Sequence, residues 1–137
     1  MRLLLDTHVF LRAISGSRSL KSCARRVMEE ADQVYVSAAS IWEIAIKTRL
    51  GKIEVNTSDL VNAIEASGFI ELPVRGIHAA GVAALPLHNT DPFDRLLVAQ
   101  AIAEPLKLLT GAKCWVSTAI WLLLFEAMAA SDRHLRI

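Results

Sequence analysis

Four short apolar runs recur along the chain, Leu3-Leu4-Leu5, Val34-Tyr35-Val36, Phe69-Ile70-Glu71-Leu72 and Leu106-Lys107-Leu108-Leu109, with helix-patterned stretches between them. An apolar run without in–out alternation is how a strand buried on both faces reads. Strands that alternate with helices imply right-handed crossovers and a parallel sheet covered on both sides. The expected fold is therefore α/β, with a central parallel sheet covered by helices on both faces. At 137 residues the chain is long enough for one such core and too short for two.

Helix signals fill the intervals. Ser19 stands where a cap would precede Leu20, Ala24, Val27, Met28 and Ala31, which share one helical face. Ser37 is placed to cap a helix from Ala38 to Leu50, with Gly51 as its stop. Thr57 or Ser58 opens a helix through Ala66 that Gly68 ends, and Ile77 to Ala84 forms a short one. Pro92 sits at a favoured first-turn position, and Leu96, Leu97, Ala99, Ala101 and Ile102 carry the helix on to Pro105.

A net charge of +1 excludes a protein that holds nucleic acid through a broad basic stripe, so such a partner would have to be gripped locally. Cys23 and Cys114 match no zinc spacing and no disulfide framework, and read as free thiols of a reduced, cytoplasmic protein. The N-terminal apolar stretch is too short for a secretory segment and reads as a strand. The run from Cys114 to Phe125 covers about half of what a helix needs to cross a bilayer.

The chemistry resides in carboxylates at the ends of elements. Asp6 closes the first strand, Glu43 lies between Trp42 and Ile44 in the second helical stretch, and Asp91 and Asp94 open the helix at Pro92. An α/β sheet gathers ligands at the carboxyl ends of its strands, so these acids can meet at one edge. Clustered carboxylates repel, and a divalent cation relieves the repulsion. Oxygen-only ligands favour Mg²⁺ or Mn²⁺, which can activate water for attack on a phosphodiester. Each acid also has a plainer reading. Asp6 can cap a following helix, and Asp91 with Asp94 can cap and favour the helix dipole. Glu43 is harder to dismiss, because a charge in an apolar helix is rarely buried without a partner.

Other polar residues are weaker candidates. His8, His78, His88 and His134 share no helical spacing and read as surface or packing residues. Lys47, Arg49 and Lys52 could meet a phosphate backbone or simply be solvated near a helix C-terminus. Arg95 could contact substrate or pair with an acid.

Several segments together resemble the PIN-domain family, in particular toxins of the VapC type: Leu4-Leu5-Asp6-Thr7-His8, the stretch from Val36 to Lys47 around Trp42-Glu43-Ile44, Gly51-Lys52-Ile53, the stretch from His88 to Ala101 around Asp91-Pro92-Phe93-Asp94-Arg95, and Leu108-Leu109-Thr110. The resemblance runs from residue 2 to about residue 113, in order. It implies a PIN-like three-layer α/β/α fold with a central parallel sheet of four to five strands, and an Mg²⁺- or Mn²⁺-dependent endoribonuclease of a bacterial toxin–antitoxin pair. Such a toxin is usually homodimeric and is silenced by a VapB-like antitoxin. By motif match Asp6, Glu43 and Asp94 would be both the catalytic and the metal-binding acids, with Asp91 and Thr110 in secondary or substrate-positioning roles. The family often carries an Asp two residues after that Thr, whereas this chain has Ala112.

The resemblance implies a PIN domain over residues 1–113 and an atypical tail over 114–137, in place of the usual last helical turn and strand. The codons for Lys113-Cys114-Trp115-Val116, read one nucleotide earlier, permit Met-Leu-Gly and then a family-like ending, so the tail reads as a frameshift product. A gene with no intact ending in the neighbouring frame would refute this. Two rival functions follow: an antitoxin-binding module impaired in catalysis, and a small-molecule phosphatase with Asp6 as nucleophile. The phosphatase reading suffers because His8 occupies the position where that chemistry usually has a second Asp.

Overall fold

A computed structural model of the chain describes residues 1–16, 20–86, 90–111 and the backbone of 115–117. The elements follow in the order β1 (Arg2–Leu5), α1 (Thr7–Ile14), α2 (Ser22–Glu30), β2 (Gln33–Ser37), α3 (Ala38–Arg49), α4 (Thr57–Ala66), β3 (Ile70–Leu72), α5 (Gly76–Gly81), a 3-10 turn (Val82–Ala84), α6 (Pro92–Ala103), β4 (Lys107–Thr110) and β5 (Trp115–Ser117). One sheet contains all five strands in the order β3-β2-β1-β4-β5. The first four are parallel, and β5 adds antiparallel to β4. This is the expected α/β sheet with helices on both sides.

The runs of β1, β2 and β4 form strands that are covered on both sides, whereas β3, at the sheet edge, leaves Ile70 and Glu71 exposed. In register, Leu5 of β1 lies opposite Val36 of β2 and Leu109 of β4. Leu3, Leu5, Val34, Val36 and Leu109 pack on one face with Val9, Phe10, Ile44, Leu60 and Ile64 from α1, α3 and α4. Leu4 and Leu108 point to the other face, against Leu97 and Val98 of α6. Burying each such side chain stabilises the fold by about 1.5–3 kcal/mol.

Caps set where the helices begin. Ser37 accepts the Ala39 N–H, and Asn56 accepts those of Ser58 and Asp59. Gly51 and Gly68 follow α3 and α4 with positive φ (74° and 78°), the left-handed conformation that glycine adopts at least cost.

The segment after Asp6 is helix α1, and Asp6 caps it, as the plainer reading of that residue allowed. Three expectations need correcting. Helix α2 begins at Ser22 behind Lys21, which makes no side-chain cap bond, and Ser19 lies outside the described residues. The single helix expected over 77–84 divides into α5 and the 3-10 turn. Cys23 is disulfide-bonded and not a free thiol, while the chain's other cysteine, Cys114, lies outside the described residues. Cysteine spacing along the chain does not report which thiols meet in space.

Backbone pairing of Trp115–Ser117 covers the outer edge of β4 as a fifth strand. The rest of the tail lies outside the described residues. No described helix is long and apolar enough to cross a membrane.

Candidate active site

The strand order fixes where a ligand would bind. From β1 the chain steps outward to β2 and β3, then crosses back to place β4 on the other side of β1. The reversal leaves a crevice beyond the carboxyl ends of β1 and β4, the usual ligand site in open α/β sheets. Helices α1 and α3 start at that edge. Helix α6 runs back toward the start of β4, so its N-terminus lies at the same edge.

Asp6 stands at the reversal. Its N–H donates to Leu109 O (3.0 Å), which extends the β1–β4 pairing by one residue. Its Oδ1 accepts the Val9 N–H at 2.8 Å, capping α1, and Oδ2 accepts the Gly111 N–H from just beyond β4 at 3.3 Å. Burial pushes the Asp6 carboxyl above its ordinary pKa, because removal from water disfavours the charged form; the two N–H donors and nearby His8 and Arg12 act in the opposite direction.

Glu43 is 5% exposed, and both of its oxygens are engaged. Oε1 lies 2.8 Å from the Thr7 hydroxyl, and Oε2 accepts from Lys47 Nζ at 2.7 Å, one helical turn further along. Thr7 Oγ1 also lies 3.0 Å from Ser40 Oγ. A carboxylate only accepts, so the single Thr7 proton goes to Glu43 and Ser40 supplies the second bond. The expectation of a partner for Glu43 is met by Lys47, whose ammonium group is engaged there.

At α6, Asp91 Oδ1 accepts the N–H groups of Phe93 (2.9 Å) and Asp94 (3.3 Å), the N-cap role open to it from sequence. Asp94 follows in the first turn with its side chain exposed. Phe93 meets Trp42 edge to face, ring centroids 5.1 Å apart. That contact sets the chain neighbours Glu43 and Asp94 on facing helices. Arg95 spends its guanidinium on the carbonyls of Val82 (3.0 Å), Leu85 (3.3 Å) and Pro86 (2.5 Å), holding the 3-10 turn against α6. Thr110 ends β4 half-buried beside Gly111, and Ala112 lies outside the described residues.

Among the described residues no three His, Cys, Asp or Glu side chains converge closely enough to hold a metal ion. Asp6 and Glu43 are linked through Thr7, and Asp94 lies exposed in the first turn of α6.

The model of the PIN domain matches residues 3–112. The chain belongs to the PIN-domain family.

Solved structures similar to it in fold include the following two. A toxin–antitoxin complex from Klebsiella pneumoniae is 19% identical, with a TM-score of 0.53 over 77% of this chain and 82% of that one. VapBC2 from Rickettsia felis, bound to a DNA fragment from its promoter, is 15% identical, with a TM-score of 0.55 over 79% of this chain and 86% of that one. None of the curated proteins compared with the chain matches it in sequence.

Sequence patterning missed a polar network under this PIN-domain crevice. Ser37 Oγ donates to Gln100 Oε1 at 2.6 Å, and Gln100 Nε2 reaches Pro73 O at 3.3 Å and His78 Nδ1 at 3.4 Å. His78 Nδ1 accepts the Arg75 N–H at 3.0 Å, so the ring proton sits on Nε2 and is donated to Glu104 at 2.7 Å. Ser37, His78 and Gln100 are all 0% exposed. The expectation of a packing role for His78 is met, with the network as its reason. Nothing local in the sequence signals it, because its members come from β2, α5 and α6.

Proposed function

We propose that this PIN domain is an Mg²⁺- or Mn²⁺-dependent endoribonuclease that hydrolyses RNA phosphodiesters as the toxin of a bacterial toxin–antitoxin pair, acting in the cytoplasm as a homodimer held in check by a VapB-like antitoxin. The observation that carries the reading is the bridge from Asp6 through Thr7 to Glu43 at the strand-order reversal, since it sets two carboxylates of different helices on one crevice. Carboxylate oxygens are the donors a hard divalent cation takes, and the partly buried Asp6 carboxyl would gain from one, while Lys47 already offsets the charge of Glu43. Asp6, Glu43 and Asp94 would hold the ion, which supplies an activated water and charge neutralisation at the leaving oxygen.

The chain's own residues orient the acids. Val9 and Gly111 fix the two Asp6 oxygens, Thr7 and Lys47 fix those of Glu43, and the Asp91 cap sets the first turn that carries Asp94. Thr110, at the end of β4, is suited to position substrate. Single-stranded or loop RNA fits a crevice of this kind, because its phosphates and unstacked bases are accessible. Support for the toxin assignment comes from the two solved structures, one a toxin–antitoxin complex and the other VapBC2.

A second reading, a module that binds antitoxin without cleaving, draws on the lack of a converged metal-ligating trio among the described residues. RNA cleavage by the purified chain with Mn²⁺, with Mg²⁺ and with EDTA separates the two, using Asp6→Asn as the contamination control. Metal-dependent cleavage lost in the mutant establishes the nuclease. A folded protein that cleaves nothing yet binds antitoxin establishes the second reading.

A further inference from the structure

From the geometry around Gly111 we infer that Arg12 is an RNA-phosphate-binding residue, holding a backbone phosphate beside the acids; this rests on the nuclease reading. Arg12 lies in the last turn of α1. Helical side chains lean toward the N-terminus, so its guanidinium reaches back to the crevice. A Cβ added at Gly111 would sit 3.1 Å from Arg12 Nη1, and the Gly111 N–H is itself bonded to Asp6 at 3.3 Å. Arg12 is also close enough for its positive charge to act on the Asp6 carboxyl.

Among the described residues the Arg12 guanidinium has neither a hydrogen-bond nor an ion-pair partner, although its side chain is half-buried. Lys47 and Arg95, by contrast, are engaged, Lys47 on Glu43 and Arg95 on three carbonyls. A planar fork of five donors with no protein acceptor matches a phosphate, which takes two parallel N–H bonds. In a chain of net charge +1, one such contact supplies a sizeable part of the local grip on RNA. A side chain at residue 111 would crowd the guanidinium, which would have to give by a few tenths of an ångström.

The test compares wild type, Arg12→Gln and Arg12→Lys, with thermal melting to verify folding. Cleavage of a single-stranded RNA is measured with Mn²⁺, and binding of a fluorescent oligouridylate is measured in EDTA over a range of salt. Arg12→Gln should raise KM roughly tenfold to a hundredfold with kcat little changed, as loss of a charge-assisted bond to bound substrate does. Its salt dependence of binding should be shallower by about 0.7 in log–log slope, the signature of one lost phosphate contact on a single strand. Arg12→Lys should restore the slope and only part of the KM. Unchanged KM and slope in a folded Arg12→Gln overturn the Arg12 role while leaving the nuclease standing. Arg12-dependent RNA binding with no cleavage by wild type overturns the nuclease and keeps the Arg12 site. A wild type that neither binds nor cleaves RNA overturns both.

Discussion

Thr7 donates its hydroxyl proton to Glu43 Oε1 across 2.8 Å, joining the first turn of α1 to the second turn of α3 inside the protein. Both residues are buried, at 4% and 5% exposure, so this bond decides where the Glu43 carboxylate points. Thr7 follows Asp6 directly, and the same bond therefore fixes the separation of the two acids.

Thr7→Val tests that bond with little change of shape. It leaves one Glu43 oxygen and the Ser40 hydroxyl without their partner, and should cost about 1–3 kcal/mol of stability. Urea denaturation should show a lower midpoint with an unchanged slope, and metal-dependent cleavage should fall as Glu43 loses its orientation. A midpoint equal to that of wild type would show that the bond carries no weight.

Lys47→Met removes the charge that Glu43 holds at 2.7 Å. Breaking such a pair leaves a buried carboxylate uncompensated; because Lys47 is partly exposed, the loss should be about 1–3 kcal/mol in EDTA, below that of a wholly buried pair. If Glu43 binds a divalent ion, Mn²⁺ should raise the melting temperature of the mutant more than that of wild type. Equal Mn²⁺ shifts would detach Glu43 from the metal.

Asp6 gives a pH signature. Burial holds its folded-state pKa above the ordinary 3.8, so between those two values the folded protein binds more proton than the unfolded chain. Wild-type stability in EDTA should therefore fall, relative to Asp6→Asn, as pH rises from 3.8 through the folded-state pKa, and the difference should be flat below that window and above it. Paired thermal melts across the acid range measure it. A difference that grows in the opposite direction would mean that the N–H bonds from Val9 and Gly111 outweigh burial.

Gln100→Leu keeps the volume of a residue that is 0% exposed but strands the Ser37 hydroxyl and the Pro73 carbonyl. Each orphaned group should cost about 1–3 kcal/mol, read as a lower denaturation midpoint. Because α6 is held to β2 through this residue, cleavage should weaken along with stability.

Much of this architecture was legible in the residues. Leu3-Leu4-Leu5 and Val34-Tyr35-Val36 read as two-sided strands and are such. Ser37, Gly51, Gly68 and Pro92 marked helix ends correctly, because caps and stops are decided by a residue and its nearest neighbours along the chain. Asp6 and Glu43 drew attention for a similarly local reason, a charge where apolar neighbours predict burial.

The rest needed the fold. Thr7 meets Glu43 across 36 positions, Ser37 meets Gln100 across 63, and Gly111 meets Asp6 across 105. Helical and strand periodicities span a few residues and carry no information about such pairs. The same reason hid the disulfide at Cys23, the polar network around His78, and Arg12, an unremarkable arginine in helix α1 until β4 sets Gly111 beneath it. Because strands and helices follow from local burial and capping, the sequence by itself determined most of them, though not α1 or β5. The order β3-β2-β1-β4-β5 alone decided which side chains share the crevice, because it sets β4 beside β1 and brings the two ends of the described chain together.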